Sequence, residues 1–198
     1  MKYKPGHKQA SRRRIVEAAS RQFRERGVRG TSLPGVMRDA GMTVGGFYRH
    51  FESKEELFRE ALHGALVRSL ERLAKGPEEL RGREWIEKAA AVYLNSQHRT
   101  NLAGGCALPM LTPEVARGDE QGRRVFSEDL ERMVDTMAAC MGEAEEPATR
   151  AEAWALLSLM VGNLLLSRGV AEDDLAEEIL QAGREASVRM SSEGRGED

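Results

Sequence analysis

The sequence predicts an all-α fold. Only 5% of its 198 residues are aromatic, while Ala, Leu, Glu and Arg are abundant. Apolar residues return every three to four positions through most of the chain. Sustained strand-like alternation occurs nowhere. A chain of this length holds one large domain or two small ones and can bury a real core.

The first helix is expected from about Gln9 to Arg26, with Ile15, Ala19 and Phe23 on one face and Gly27 as its stop. A short second helix follows Ser32 and ends near Gly41, and a third begins after Thr43 and carries Phe47 and Phe51 on one side. Ser53-Lys-Glu-Glu56 has the form of a capping box, opening a helix with Phe58, Leu62, Leu66, Leu70 and Leu73. Gly76-Pro77 stops that helix and is the strongest boundary signal in the chain.

Further helices are expected over 83–97 (Ile86, Ala90, Tyr93), near 106–116, and over 120–141 (Phe126, Leu130, Met133, Met137, Cys140). The last two cover 148–167 and 172–190, and 192–198 is expected to be a disordered tail. The predicted organisation is thus a helical N-terminal domain over 8–68, with a helix-turn-helix at 32–51, and a C-terminal helical bundle over 78–191.

Net charge is −2, which on its face argues against a nucleic-acid partner. Its distribution says the opposite. Residues 1–54 hold 13 Lys and Arg against 4 Asp and Glu, so the remainder holds 17 against 28. Such asymmetry points to one half that meets a polyanion and another that does something else. The two cysteines, Cys106 and Cys140, form no CxxC and no disulfide framework, which suits a reducing compartment. The basic N-terminus lacks the apolar run of a signal peptide, and the apolar stretch around Trp154–Leu166 is interrupted by Ser158, Gly162 and Asn163. A soluble, cytoplasmic protein with no membrane partner is expected.

In the 32–51 segment, Asp39-Ala-Gly-Met-Thr43 joins two short helices, and Gly41 supplies the positive φ of a tight turn. Phe47 and Phe51 anchor the second helix, leaving Val44, Gly45 and Tyr48 to point outward. Thr43 stands at the N-cap, and a helix N-terminus attracts phosphate. Arg12–Arg14, Arg24, Arg26, Arg29, Arg38, Arg49 and Lys54 surround the unit. Spacing alone is equally consistent with a helical hairpin carrying a solvated basic face.

The stretch from Lys8 to Ala65 resembles the TetR family of bacterial regulators, most clearly in Gly41-Met-Thr-Val-Gly-Gly-Phe-Tyr-Arg-His-Phe-Glu-Ser-Lys-Glu-Glu-Leu57. The resemblance implies that the helix after the turn enters the major groove of double-stranded DNA, braced by the first helix. It implies phosphate contacts from Tyr48, His50 and Lys54, Thr43 at the groove edge, and backbone contacts from Thr31 and Ser32. Val44 departs from the usual polar or basic residue, and offers a thymine methyl an apolar contact instead. Beside Gly45 and Gly46 it leaves the groove-facing surface short of long side chains, so phosphate contacts and backbone approach are expected to supply much of the affinity.

The acidic portion has no Ser–His–Asp order, no HExxH and no phosphate loop, and its histidines are too scattered for a metal site. No catalytic residue, metal or cofactor is expected. The 148–167 helix is apolar on more than one face, with Trp154, Leu157, Val161 and Leu164 in one stripe. The 172–190 helix carries Leu175, Ile179, Ala182, Gly183 and Ala186. The resemblance makes these two helices the four-helix interface of a homodimer, which places two reading heads on a pseudo-palindromic operator; the bland alternative is an ordinary monomer core.

Gly104-Gly-Cys-Ala-Leu-Pro-Met-Leu-Thr-Pro-Glu-Val115 is similar to a run in one large branch of the family, where it forms an inner pocket wall. Tyr93, His98, Cys106, Met110, Met133, Met137 and Trp154 are the candidate pocket residues, although Met and aromatics at helical spacing are usually core. If Cys106 starts a helix, that position activates a thiol toward oxidants or electrophiles; its alternative is a small buried hydrophobe. The expected function is a repressor released by a small-molecule inducer. A redox switch at Cys106 is the alternative, with an activator or a helical enzyme more remote.

Overall fold

A computed structural model describes residues 5–75, 80–142 and 148–193. Among these the ordered elements are all helices: α1 (Pro5–Gly30), α2 (Leu33–Asp39), a 3₁₀ helix (Val44–Arg49), α3 (Lys54–Lys75), α4 (Gly82–Tyr93), α5 (Ser96–Thr100), α6 (Leu108–Ala116), α7 (Glu120–Met141), α8 (Arg150–Gly169) and α9 (Asp173–Glu193). None of them is long and apolar enough to cross a membrane. The predicted Gly76-Pro77 boundary lies outside the described residues, as does the tail beyond Glu193; α9 itself runs into the segment expected to be tail.

The described residues form two units. The first joins everything up to Val67 with Leu102–Ser127, so the segment carrying α6 groups with the N-terminal helices. Its core holds Ile15, Ala19 and Phe23 from α1, Val36 and Met37 from α2, Phe47 and Phe51, and Leu57, Leu62 and Leu66 from α3, all nearly fully buried. Phe23 meets Phe58 edge-on, with ring centroids 5.5 Å apart. Gly27 interrupts α1 with φ 70°, so the chain turns where the sequence predicts a stop. Ser32 caps α2 by accepting the Gly35 N–H at 3.2 Å. Two polar links tie this unit together: the buried Arg24 donates to Gly105 O at 3.0 Å, and Arg59 pairs with Asp119 at 2.6 Å. Asp119 also accepts the Gly122 N–H at the start of α7.

At α3 the capping box is only half as predicted. Ser53 Oγ accepts the Glu56 N–H at 3.1 Å, but the Glu56 carboxylate reaches past Ser53 to the Glu52 N–H at 2.6 Å. Both free donors are still satisfied.

The second unit comprises Arg68–Asn101 and the described residues from Glu128 onward. Here α9 packs on α8 and α4. The single helix expected over 83–97 is two, because the fully buried Leu94 leaves the helical conformation and Asn95 caps α5 by accepting the His98 N–H at 2.8 Å. Arginines satisfy the carbonyls this break and the neighbouring helix ends expose. Arg184 donates to Leu94 O, Arg168 to His98 O and Arg99 O, and Arg99 to Ser167 O and Val170 O. Gly183 lies where α9 approaches closely: a Cβ there would fall 2.7 Å from Asn163 Cγ and 2.8 Å from Leu94 Cδ1. Its small size serves packing within the protomer.

Candidate nucleic-acid interface

The turn after α2 is held by backbone bonds from Ala40 to Val36, Gly41 to Arg38 and Met42 to Met37, all 2.8–2.9 Å, with Gly41 at φ 65°. The element after the turn is a 3₁₀ helix of six residues and not the α-helix the spacing suggests. Thr43 occupies the N-cap, but its side chain makes no capping bond. Phe47 and Phe51 are buried and stacked at 5.6 Å, and this anchor fixes which face turns out. On that face Tyr48 is 73% exposed and Val44 48%. Gly45 is exposed between them, with nothing within 4 Å of where a Cβ would stand. Arg38 on α2 is also exposed, its guanidinium 3.7 Å from Asp39.

Several basic groups that look available in sequence are turned inward. The Lys54 ammonium donates to the carbonyls of Val28 and Thr31, closing the link between α1 and α2. Thr31 is buried, and its hydroxyl donates to Gly27 O at 2.8 Å, so its side chain is structural. Arg12 pairs with Glu56 and Glu60 at 2.8 and 2.5 Å, and donates to the His50 carbonyl. Burial works against the Arg12 charge, but Glu60 and Glu56 outweigh it and raise its pKa. The bond from Arg12, followed by the Glu52 N–H, holds the Glu56 carboxyl below its usual range. His50 caps the end of the 3₁₀ helix; burial, then Lys8, Arg12 and Arg49, lowers its pKa.

Gln22 is not among the residues that sequence spacing singles out. It is 3% exposed and donates to Asp39 Oδ2 at 2.6 Å, tying the end of α2 to α1. Its signal is a polar residue within the apolar stripe of α1, where a buried amide needs a partner; the Nε2 donor has one in Asp39.

Residues 15–61 match the family described as "Bacterial regulatory proteins, tetR family". These residues form a TetR-family helix-turn-helix domain. The transcriptional regulator TtgR of Pseudomonas putida is 41% identical over 70 residues, which span 35% of this chain and 33% of that protein. The transcriptional repressor KstR2 of Mycobacterium tuberculosis is 39% identical over 61 residues, spanning 31% of this chain and 30% of that protein. The chain thus spans about a third of the length of the curated relatives it matches. Solved structures share the fold over most of the chain. A TetR transcriptional regulator from Chloroflexus aurantiacus is 26% identical with a TM-score of 0.69, covering 92% of this chain and 94% of that one. The reduced form of E. coli NemR is 20% identical with a TM-score of 0.74, covering 89% and 94%.

Within the first unit, α6 packs against α1, and Cys106 and Met110 belong to this unit. Cys106 is 4% exposed and precedes Ala107, the N-cap of α6. It neither starts a helix nor lies exposed, and this burial disfavours the redox-switch alternative. The other pocket candidates belong to the second unit. Tyr93 and His98 meet edge-on at 4.6 Å, with His98 Nδ1 2.7 Å from Tyr93 O. Met133 and Met137 are buried, as is Cys140, whose thiol pKa burial pushes up.

The predicted dimer stripe is redistributed. Leu157 and Leu164 face the protomer's own core, beside Leu156 and Met160. Trp154 is 36% exposed and Val161 half-buried, and Leu165 joins them on the outer face. On α9 the inner face is Ala176, Leu180, Gly183 and Ser187, while Leu175 and Ala182 are exposed and Ile179 and Ala186 half-buried.

Proposed function

We propose that this chain is a homodimeric transcriptional repressor that binds a pseudo-palindromic operator and is released by a small-molecule inducer. The observation that carries the DNA reading is the outward face of the 3₁₀ helix. Val44, Gly45 and Tyr48 stand exposed on a buried aromatic anchor, and Arg38 on α2 and its cap Ser32 are exposed as well. Ser32 spends its hydroxyl on the α2 cap. Tyr48, Thr43, Arg38 and His50 are the side chains left to meet phosphates and groove edges, with Val44 as the apolar contact to a thymine methyl. Lys54 uses two of its three donors within the protein, so it offers at most one to DNA.

The dimer reading rests on the outer faces of α8 and α9, where Trp154, Val161 and Leu165 run along one helix and Leu175, Ile179, Ala182 and Ala186 along the other. A two-fold pairing through these helices presents two heads to successive major grooves. Relatives of the head include proteins named as repressors, which favours repression over activation. The inducer reading assigns its site to the second unit, around the Tyr93–His98 pair and Met133 and Met137. An inducer acts by binding the DNA-incompetent state more tightly than the competent one.

The test is selection of duplexes from random-sequence DNA, followed by titration of the selected site over a range of salt. The expected result is a two-fold symmetric site, bound by a dimer, with affinity falling steeply as salt rises. Tyr48→Ala with Arg38→Ala should lower affinity at least tenfold while leaving the protein folded. Recovery of no enriched sequence would overturn the reading.

A further inference from the structure

His50 closes the 3₁₀ helix at the edge of the proposed DNA face. Its backbone is fully engaged: the N–H donates to Phe47 O at 2.8 Å, and the carbonyl accepts from Arg12. Its ring is not. Nδ1 is buried and, among the described residues, has no hydrogen-bond partner. The charges around it decide which form of the ring that site tolerates. Lys8 and Arg12 face it from α1 and Arg49 from its own helix, while the α3 carboxylates Glu56 and Glu60 are already bound to Arg12.

A proton on Nδ1 would be a buried donor without an acceptor, placed among three cations. A lone pair there is attracted by the same cations. The neutral ring therefore carries its proton on Nε2, and the charged ring is opposed by burial and by the cations together. We propose that His50 meets DNA as a neutral imidazole fixed in the Nε2–H tautomer, a directional hydrogen-bond donor to a phosphate and not a cation. This deepens the DNA-binding reading and rests on it. It also gives His50 a role distinct from that of the arginines. Their charge supplies salt-dependent attraction, whereas one oriented N–H fixes the register of the 3₁₀ helix along the backbone.

The experiment reads the ring nitrogens of His50 by long-range ¹H–¹⁵N correlation in the full-length protein at pH 7. Spectra are recorded alone and with a duplex selected from random-sequence DNA. Nδ1 should be unprotonated and Nε2 protonated in both states. An imidazolium in the complex, or a proton on Nδ1 in the protein alone, overturns the proposal. Affinities supply a second readout. His50→Ala should lose about tenfold, the scale of one hydrogen bond to a charged group. His50→Gln, whose amide nitrogen reaches the Nε2 position, should recover most of that loss, and His50→Lys should not. Recovery by Lys and not by Gln overturns the proposal. Failure of the wild-type protein to bind any selected duplex counts against the DNA reading instead, and the ring state of the protein alone still decides the tautomer.

Discussion

The Arg12 guanidinium lies over the Phe51 ring, 4.0 Å from its centre, while its nitrogens reach Glu56, Glu60 and the carbonyl of His50. One α1 side chain thus joins the end of the 3₁₀ helix to the first turns of α3. Only a planar cation can stack and fork at once.

Arg12→Lys is therefore not conservative. It should destabilise the head by about 1–2 kcal/mol, through loss of the stacked, forked geometry. Urea denaturation of Arg12→Lys, Glu60→Gln and the double variant measures this. A coupling near zero would show that the pair is solvated and structurally idle.

Two nearby glycines should respond in opposite ways to alanine. At Gly41 the φ is 65° and the new Cβ would lie 2.6 Å from Arg14 Nη2, so Gly41→Ala should cost about 1–2 kcal/mol. Gly45 has an ordinary φ and open space, so Gly45→Ala should leave the melting temperature unchanged or slightly raised. Its effect should appear in DNA affinity, since the added methyl stands on the face proposed to meet the groove. A drop in melting temperature at Gly45→Ala would contradict this assignment.

Gly183→Val should destabilise the second unit by about 1–3 kcal/mol, because Leu94 is fully buried and cannot move aside. Ala182→Val, one residue away on the exposed face, should be nearly neutral for the monomer and should instead alter dimerisation. Denaturation together with sedimentation equilibrium separates the two effects.

Acid should weaken the fold through His98. Burial, with Arg168 and Arg72 adding to it, lowers its pKa against the opposing bond to Tyr93 O. The unfolded chain therefore binds the proton more readily than the folded one. The stability present above the ordinary histidine value is lost as pH falls through it toward the folded pKa. Stability measured at pH 7.5 and 5.5 should drop, and His98→Gln should drop less. An equal drop in both proteins would place the acid sensitivity elsewhere.

The helices were legible from the sequence because each carries its own signal: the stripe of Ile15, Ala19 and Phe23, the cap at Ser32, the turn glycine at Gly41, and Ser53 ahead of α3. The outward face of the 3₁₀ helix was legible too. Phe47 and Phe51 must be buried, and on so short an element that leaves one orientation for Val44 and Tyr48. These are local rules of period and conformation, and neighbours do not change them.

What only the tertiary structure decided is the partner of each polar group. Lys54 and Arg12 look like DNA contacts in a basic sequence, yet carbonyls and carboxylates from residues more than twenty positions away claim them. Cys106 has the look of a helix start, but the backbone delays α6 to Leu108 and buries the thiol. Leu157 and Leu164 share a stripe with Trp154 in the sequence, and packing among α4, α8 and α9 divides that stripe between core and surface. The physical reason is common to all three. Hydrophobic period is a property of consecutive residues, whereas hydrogen-bond and ion-pair partners depend on which distant segments the packed core brings within about 3 Å.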